Sequence, residues 1–158
     1  MERLEHMRRK DRETSREAAW EIFDQSAYSV LSMIYEGKPY ATALSMARIG
    51  ETLYFHCARE GEKLQALRHN PQVCLHAVSH MRNCAEKFTV YYASCTIKGC
   101  AKEVQTEEER QQALLAICAA FTPENMEKAQ QEIQSAGSST SVWKIQVDEI
   151  SGKCHPEK

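Results

Sequence analysis

The chain has 158 residues, a length that fits one domain and suffices to bury a sizeable hydrophobic core. Its 20 lysines and arginines are balanced by 22 aspartates and glutamates, and the net charge of -2 argues against a basic surface for nucleic acid. No apolar run approaches a membrane span, and residues 1–12 lack the apolar centre of a signal peptide. We therefore expect one globular domain, residues 1–158, with no nucleic-acid or membrane partner.

Seven cysteines are dispersed along the chain without a CxxC pair. An odd, irregular set predicts reduced thiols in the cytoplasm rather than a disulfide framework. Structural zinc sites usually bring paired ligands two to four residues apart. His76 and His80 are four residues apart, but on a predicted strand that leads into a loop, so they need not share a face. We therefore predict no metal site and interpret most cysteines as small buried hydrophobes.

The first part of the chain predicts an N-terminal arm, a helix and three strands. The arm spans residues 1–13 and carries a basic cluster at 7–12. Thr14 and Glu17 match a capping box for a helix over residues 15–24. Three β-branched and aromatic runs with tight turns between them predict an antiparallel meander. These runs are residues 28–35, 40–47 and 52–57.

The middle of the chain predicts a second helix and two more strands. The helix begins after Gly61 and ends near Asn70, because Pro71 prevents its continuation. The strands span residues 72–78 and 88–104, and the polar loop between them spans residues 79–86. The second strand is long enough to curl, and we expect a bulge or bend near Gly99.

The last part of the chain predicts a helical insertion, residues 105–140, before the final strand. Thr106 and Glu109 match a second capping box, and another helix and a small-residue linker at 136–141 follow. The final strand spans residues 142–150. The whole pattern is mainly β with peripheral α-helices, and a small closed or split barrel would hide the sheet edges.

Residues 53–63 carry the clearest functional signal before any resemblance is considered. A strand-like run gives way at Gly61 to helical spacing, and the first N–H groups of a helix form an anion site. Lys63 in the first turn is unfavourable there unless an anion joins it. Two interpretations stay open: a solvated lysine after a turn, or a phosphate held by Gly61, Lys63 and Arg59.

Several blocks of sequence, in this order, match a known protein family. They are Met7-Arg8-Arg9-Lys10, residues 37–45, residues 53–58 with Gly61 and Lys63, Asn70-Pro71, residues 92–99 and Ser151-Gly152-Lys153. No single block is decisive, but the ordered set is specific. It resembles the pyridoxamine 5′-phosphate oxidase-like FMN-binding split-barrel proteins, and within them the 5-nitroimidazole antibiotic-resistance (Nim) proteins.

The resemblance implies a six-stranded antiparallel split β-barrel of the FMN-binding type. It implies a homodimer that holds FMN in two equivalent clefts between the subunits. It further implies a flavoprotein and oxidoreductase that reduces small-molecule electrophiles such as nitroaromatics. The electron donor would be a reduced nicotinamide or another compound.

The resemblance also implies which residues would bind FMN. Backbone groups of one strand would face the isoalloxazine ring, at Ala41, Thr42, Ala43, Leu44 and Ser45. A second strand would flank the ring and the ribityl chain, at Phe55, His56, Cys57 and Ala58. Gly61 and Lys63 would hold the phosphate. Ser94 would contact the flavin or its phosphate, and Trp143 would approach it from the partner chain.

His56 is the candidate catalytic residue, because the matching histidine of Nim-like proteins lies in the active-site cleft. Its pKa range would let it donate a proton or orient an electron-poor substrate near neutral pH. The alternative is a histidine that packs on the barrel wall. Cys57 beside it is interpreted as a buried hydrophobe rather than a nucleophile.

Two other functions stay open: a flavin-binding module without turnover, and haem binding through a histidine ligand. Pyridoxamine-phosphate oxidase activity is not expected, because the basic and aromatic C-terminal set for that substrate is not found. Ala43 stands where the Nim-like pattern has Pro, and the resemblance implies that this difference would change the pocket at the ring edge without removing flavin binding. Arg8 and Arg9 would belong to a free arm or to an arm folded over the partner's cleft.

Overall fold

The computed structural model describes residues 7–136 and 139–157. Within these residues the α-helices are α1 (Arg16–Asp24), α2 (Glu62–His69), α3 (Glu107–Phe121) and α4 (Met126–Ala136). The strands are β1 (Ser29–Tyr35), β2 (Lys38–Leu44), β3 (Ala47–Ile49), β4 (Thr52–Ala58), β5 (Gln72–Cys84), β6 (Thr89–Glu103) and β7 (Thr140–His155). Short 3₁₀ turns span Lys10–Arg12 and Pro123–Asn125.

The strands form one antiparallel sheet in the order β2-β1-β5-β6-β7-β4-β3. Its two edge strands, β2 and β3, are consecutive in the chain and are joined only by Ser45 and Met46. Leu44 and Ala47 are therefore at most about 11 Å apart. The sheet must curl until its edges approach each other at this corner, yet it stays open, which confirms the mainly β, antiparallel split-barrel prediction.

The number of strands differs from the prediction by one. The predicted strand at 40–47 is divided into β2 and β3, because the chain passes from one edge of the sheet to the other at Ser45 and Met46. Met46 is 5% exposed and belongs to the barrel core, so its apolar side chain made the run look continuous.

The hairpin of β5 and β6 is longer than predicted. The segment predicted as a loop, 79–86, continues β5 as far as Cys84, where it pairs with Thr89. A bulge at Ser79 precedes this extension, and most of its side chains are exposed. The apolar–polar alternation that marks a half-buried strand is therefore missing, and the prediction was wrong.

The last strand also extends further than predicted, to His155. The added residues, 151–155, pair with residues 92–96 of β6. The register between the two strands shifts at Lys98 and Gly99, which confirms the expected bulge near Gly99. Residues 137 and 138 of the predicted linker lie outside the described residues, and β7 begins within the linker range, at Thr140.

Side-chain caps start two of the helices. Thr106 accepts the Glu109 N–H at 3.3 Å and opens α3, which confirms this residue as the cap, whereas the Glu109 carboxylate bonds to Lys144 and Tyr54. At α1 the prediction was wrong by one residue: Ser15, not Thr14, is the N-cap and accepts the Ala18 N–H at 3.2 Å. Thr14 instead donates its backbone N–H to Gly152 O at 3.1 Å.

Part of the predicted N-terminal arm packs on the sheet. Residues 1–6 lie outside the described residues, but Glu13 forms an antiparallel bridge with Lys153 of β7. Lys10–Arg12 form the 3₁₀ turn before it, and Arg9 forms an exposed ion pair with Asp11 at 2.6 Å. The free-arm interpretation is therefore wrong for residues 10–13.

Two apolar clusters hold the fold together, and β4 contributes to both. Leu53 and Phe55 are 0% exposed and face the barrel interior, whereas Tyr54 belongs to a second cluster under α3 and α4. Successive strand residues point to opposite faces, so this alternation follows from the extended backbone. None of the helices in the described ranges is both long and apolar enough to traverse a bilayer.

Candidate functional site

The sheet is split between β2 and β4, which are not hydrogen-bonded to each other, and we call the space between these diverging strands the β2–β4 cleft. The last pair of the β3–β4 ladder is Ala47 with Tyr54. If pairing continued, the two residues before Ala47 would run alongside Phe55 and His56. Instead the chain leaves β4 and joins β1, so β2 and the end of β4 diverge from a common corner. The two strands that were predicted to hold the flavin are the ones that form this cleft.

The edge strand β2 offers backbone groups to the cleft. It pairs with β1 only, so its N–H and C=O groups on the other side have no strand partner in the described sheet. The small side chains of Ala41 and Ala43 are exposed, and Thr42 and Leu44 are half-buried. Ser45 follows in an exposed position. An accessible edge lined by small side chains fits the flat polar edge of an isoalloxazine ring.

The far end of β4 leads into the predicted phosphate site. Gly61 has φ +137°, a conformation that favours glycine, and it forms the N-cap of α2 without a side-chain bond. Its carbonyl accepts the N–H groups of Leu64 and Gln65 at 3.0 and 3.2 Å. The N–H groups before Leu64 have no intrahelical acceptor and are free for an anion.

Lys63 lies in the first turn of α2, half-buried, with its Nζ 5.8 Å from the centroid of the Phe55 ring. Among the described residues no carboxylate forms an ion pair with it. A cation without a counter-ion at the positive end of a helix dipole is the arrangement that an anionic ligand would stabilise. The residues present therefore fit a phosphate.

His56 lies on the opposite face of β4 from Phe55. Its partly exposed ring lines an apolar cavity of about 240 Å³ whose walls include Leu114 and Ile117 of α3 and Ile133 of α4. Burial lowers the pKa of His56, and the charge of Lys63 lowers it further. The imidazole is therefore neutral near pH 7, with one nitrogen to donate and one to accept a hydrogen bond.

Cys57 faces the barrel interior at the same end of β4. Burial raises the pKa of the Cys57 thiol, and the nearby charge of Lys63 only partly opposes this effect. A neutral, half-buried thiol is a poor nucleophile, in line with the sequence interpretation. Ala58, the last residue of β4, is exposed at the mouth of the site. The four β4 residues thus point alternately to two faces.

Trp143 lies in the barrel core, paired with Phe55 across the β4–β7 ladder and only 3% exposed. Its Nε1 donates to Ser141 Oγ at 3.1 Å, and that hydroxyl donates to Glu103 Oε1 at 2.7 Å. The indole has little surface left for a ligand in this chain, and its predicted approach to a flavin stays a prediction.

Ser94 lies on β6, remote from the end of that strand that carries Glu103. It is 7% exposed and lies on the outer face of β6, beside a cavity of about 340 Å³. It is nine residues from Glu103 along the same strand. The charge of Glu103 in turn acts on Cys57. Nine residues of strand span about 30 Å. Ser94 is therefore remote from the Glu103 end of β6 in the same chain.

The sequence did not predict that α3 and α4 form walls of two cavities beside the sheet. Besides the His56 cavity, a cavity of about 530 Å³ lies between β7 and these helices, and its lining includes Arg59, Glu103 and Ser141. Only Arg59 was considered from the sequence. The apolar spacing of α3 predicts a buried stripe, but it does not tell which part of the sheet that stripe covers.

Solved structures with the same fold come from several bacteria. One is a candidate 5-nitroimidazole antibiotic resistance protein from Bacteroides thetaiotaomicron, with 22% identity, TM-score 0.74 and coverage of 88% of this chain and 83% of that one. Another is the flavocytochrome Anf3 from Azotobacter vinelandii, with 20% identity, TM-score 0.77 and coverage of 96% and 73%. A third is an FAD and haem binding protein from Mycobacterium smegmatis, with 18% identity, TM-score 0.73 and coverage of 92% and 75%.

Comparison with curated proteins finds no match. The family model described as pyridoxamine 5′-phosphate oxidase matches residues 15–154, which is most of the chain and includes the whole sheet except His155, the last residue of β7. The protein therefore belongs to the pyridoxamine 5′-phosphate oxidase family.

Proposed function

We propose that this protein is an FMN-binding flavoprotein, active as a homodimer, that reduces small electrophiles such as nitroaromatics. The observation that carries the proposal is the split of the sheet between β2 and β4, together with the helix start at Gly61 and Lys63, whose ammonium forms no ion pair among the described residues. Family membership and similarity to a flavocytochrome and to an FAD and haem binding protein support the same ligand class.

FMN, when bound, would supply hydride and one-electron transfer. The chain's own residues would bind and orient it: β2 through backbone groups, and the start of α2 with Lys63 through the phosphate. His56, held neutral, would donate a hydrogen bond to a substrate in the adjoining apolar cavity. The apolar walls from α3 and α4 would exclude water there.

A second copy would complete the site. Six large apolar side chains are exposed along β1, β5 and β6 or just before β1, namely Tyr28, Val30, Ile34, Val78, Met81 and Val90. Ser94 opens onto the same outer surface. A partner packed over this surface would bury the apolar side chains and place Ser94 at the partner's cleft. That arrangement accounts for a site residue that lies nine positions along β6 from Glu103.

The first test is the absorbance spectrum of the purified protein, followed by release and mass-spectrometric identification of the chromophore. FMN is the expected result, and a colourless protein that does not take up added FMN would refute the proposal. Lys63→Gln should weaken FMN binding roughly tenfold and leave riboflavin binding unchanged, because only FMN carries the phosphate. Lys128→Gln, on the exposed face of α4, is the matched control.

The dimer is tested by sedimentation of two matched variants. Val78 and Ile49 are each 44% exposed, but only Val78 lies on the proposed interface. Val78→Asp should give a monomer with weakened FMN binding, whereas Ile49→Asp should leave both properties unchanged. Monomeric wild-type protein that binds FMN normally would contradict the homodimer.

Turnover separates an enzyme from a module that only binds flavin. The enzyme should be reduced by a nicotinamide or another donor and reoxidised by a nitroimidazole. A flavin that neither donor nor acceptor affects would favour the binding module. Haem is the other candidate, because two neighbours are named a flavocytochrome and an FAD and haem binding protein. A haem spectrum from protein loaded with haem would favour it.

A further inference from the structure

Two cations and a tyrosine converge on the outer surface where β6 meets β7. Arg12 Nη1 donates to Tyr92 OH at 3.3 Å, and its Cζ lies 5.8 Å from the ring centroid. Lys153 Nζ lies 6.0 Å from the same centroid. Ser94 is the cross-strand partner of Lys153 and faces the same cavity. We call Arg12, Tyr92, Ser94 and Lys153 the outer cationic cluster.

The backbone fixes this cluster in place. Glu13, next to Arg12, forms a bridge with Lys153, and Thr14 donates its N–H to Gly152 O at 3.1 Å. A Cβ at Gly152 would lie 2.8 Å from Ala19 Cβ and 3.1 Å from Ala19 Cα, so only glycine lets the N-terminal segment approach β7 so closely. The Ser151-Gly152-Lys153 motif thus brings Arg12 and Lys153 to the same tyrosine.

The positive charge of the cluster has no counter-ion in the described residues. Neither Arg12 nor Lys153 forms an ion pair with a carboxylate there, and Arg12 Nε is buried without a hydrogen-bond partner. Burial raises the pKa of Tyr92, but the hydrogen bonds and charges of Arg12 and Lys153 outweigh it and lower the pKa overall. The lowered pKa of Tyr92 is the effect that a positive potential at this point would have.

A cavity of about 340 Å³ adjoins the cluster, and its lining is partly polar and partly apolar. The polar residues are His76, Tyr92, Ser94 and Lys153, and the apolar ones are Val78, Met81 and Val90. A volume of this size accommodates a small aromatic or aliphatic group. The arrangement matches a ligand with an oxyanion head and an apolar body.

We propose that the outer cationic cluster binds an oxyanion, either a phosphate monoester or a carboxylate, whose apolar body lies on Val78 and Val90. Two sources share this chemistry: the phosphate of a flavin held mainly by a second copy, and a free small-molecule acid. The site is built from residues distinct from the β2–β4 cleft of its own chain, and in the proposed homodimer it lies at the interface, where the ligand fills the cavity between the two copies. It stands whether or not that cleft binds a flavin.

The test uses the flavin-free full-length protein and follows the tyrosine side chains by NMR, with Tyr92→Phe to assign the Tyr92 signal. Inorganic phosphate and benzoate are the probes. A bound anion disfavours the tyrosinate, so either probe should raise the pKa of Tyr92 by about one pH unit at saturation. Lys153→Gln should weaken this binding roughly tenfold.

Lys98→Gln is the matched control, because Lys98 lies on the same face of β6 but is paired with Glu149 at 2.9 Å. Arg12→Gln is a second variant if Lys153→Gln fails to fold. The proposal is overturned if neither probe moves the Tyr92 titration, or if Lys98→Gln and Lys153→Gln weaken probe binding equally.

Flavin binding then distinguishes the two sources. If the flavin phosphate is the anion, Lys153→Gln weakens FMN binding but not riboflavin binding, and FMN raises the pKa of Tyr92. If a free acid is the anion, FMN binding is unaffected, and benzoate still raises the pKa of Tyr92 in the FMN-loaded protein. Both results support the site, and the phosphate titration succeeds even if the protein binds no flavin.

Discussion

Lys144 on β7 lies with its Nζ 2.7 and 2.9 Å from the two carboxylate oxygens of Glu109 on α3. Tyr54 of β4 donates its hydroxyl to the same carboxylate at 3.0 Å, and burial with this contact raises the pKa of Tyr54 to about 12. Glu109 therefore ties α3 to two strands of the sheet. The same helix carries two apolar walls of the His56 cavity, so this contact supports the candidate site.

Removal of the Glu109 carboxylate should destabilise the protein. Glu109→Ala leaves Lys144 and Tyr54 without their acceptor, and we expect the free energy of unfolding to fall by about 2 kcal/mol. Glu149→Ala is the control, because Glu149 and Lys98 form an exposed pair with an expected contribution below about 0.5 kcal/mol. Urea unfolding of both variants gives the comparison, and equal losses would contradict the anchoring role.

The same contact predicts part of the pH dependence of stability. The hydrogen bond from Lys144 holds the pKa of Glu109 below its ordinary value, more than burial raises it. This stabilisation is fully present above the unfolded pKa of about 4.3 and is lost as the pH falls through the lower folded value. Glu109→Gln should therefore flatten the decline of the unfolding free energy between roughly pH 5 and 3. A variant with the wild-type acid profile would argue against the assignment.

Gly152 should tolerate no side chain. A Cβ there would lie 2.8 Å from Ala19 Cβ and 3.1 Å from the backbone Cα of the same residue. Because that backbone cannot rotate away, Gly152→Ala should cost about 3 kcal/mol of stability. Gly37→Ala, at a turn with φ +74° and open space, should cost only about 1 kcal/mol. Thermal unfolding measures both, and the reverse order would refute the packing argument.

The titration of His56 should respond to Lys63. Burial and the charge of Lys63 both lower the pKa of His56, so Lys63→Gln should raise this pKa while leaving the effect of burial in place. NMR titration of the histidine ring protons measures the change. Lys98→Gln carries the same loss of charge without contact to β4 and should leave the His56 titration unchanged. An unchanged His56 in the Lys63 variant would mean that the two groups do not interact.

Much of the secondary structure was predictable because its signals are local. Thr106 caps α3 and Asn70 ends α2 through contacts within a few residues of the chain. The bulge occurs at Gly99, where the absence of a side chain is itself a local signal. The extension of β5 to Cys84 was missed because both of its faces are largely solvent-exposed, so no apolar alternation marks it. Ser15 replaced Thr14 as the cap because Thr14 hydrogen-bonds to β7, a contact that local sequence does not reveal.

By itself the sequence determined the mainly β antiparallel architecture, the helix that starts after Gly61, and the placement of Lys63 in its first turn. These features follow from residue types that act on their near neighbours along the chain. Only the tertiary structure decided that His56 faces α3 while Cys57 faces the barrel, and that Arg12 and Lys153 meet at one tyrosine. Those relationships depend on strand register and on contacts between residues far apart along the chain, such as Arg12 and Tyr92, which no local pattern encodes.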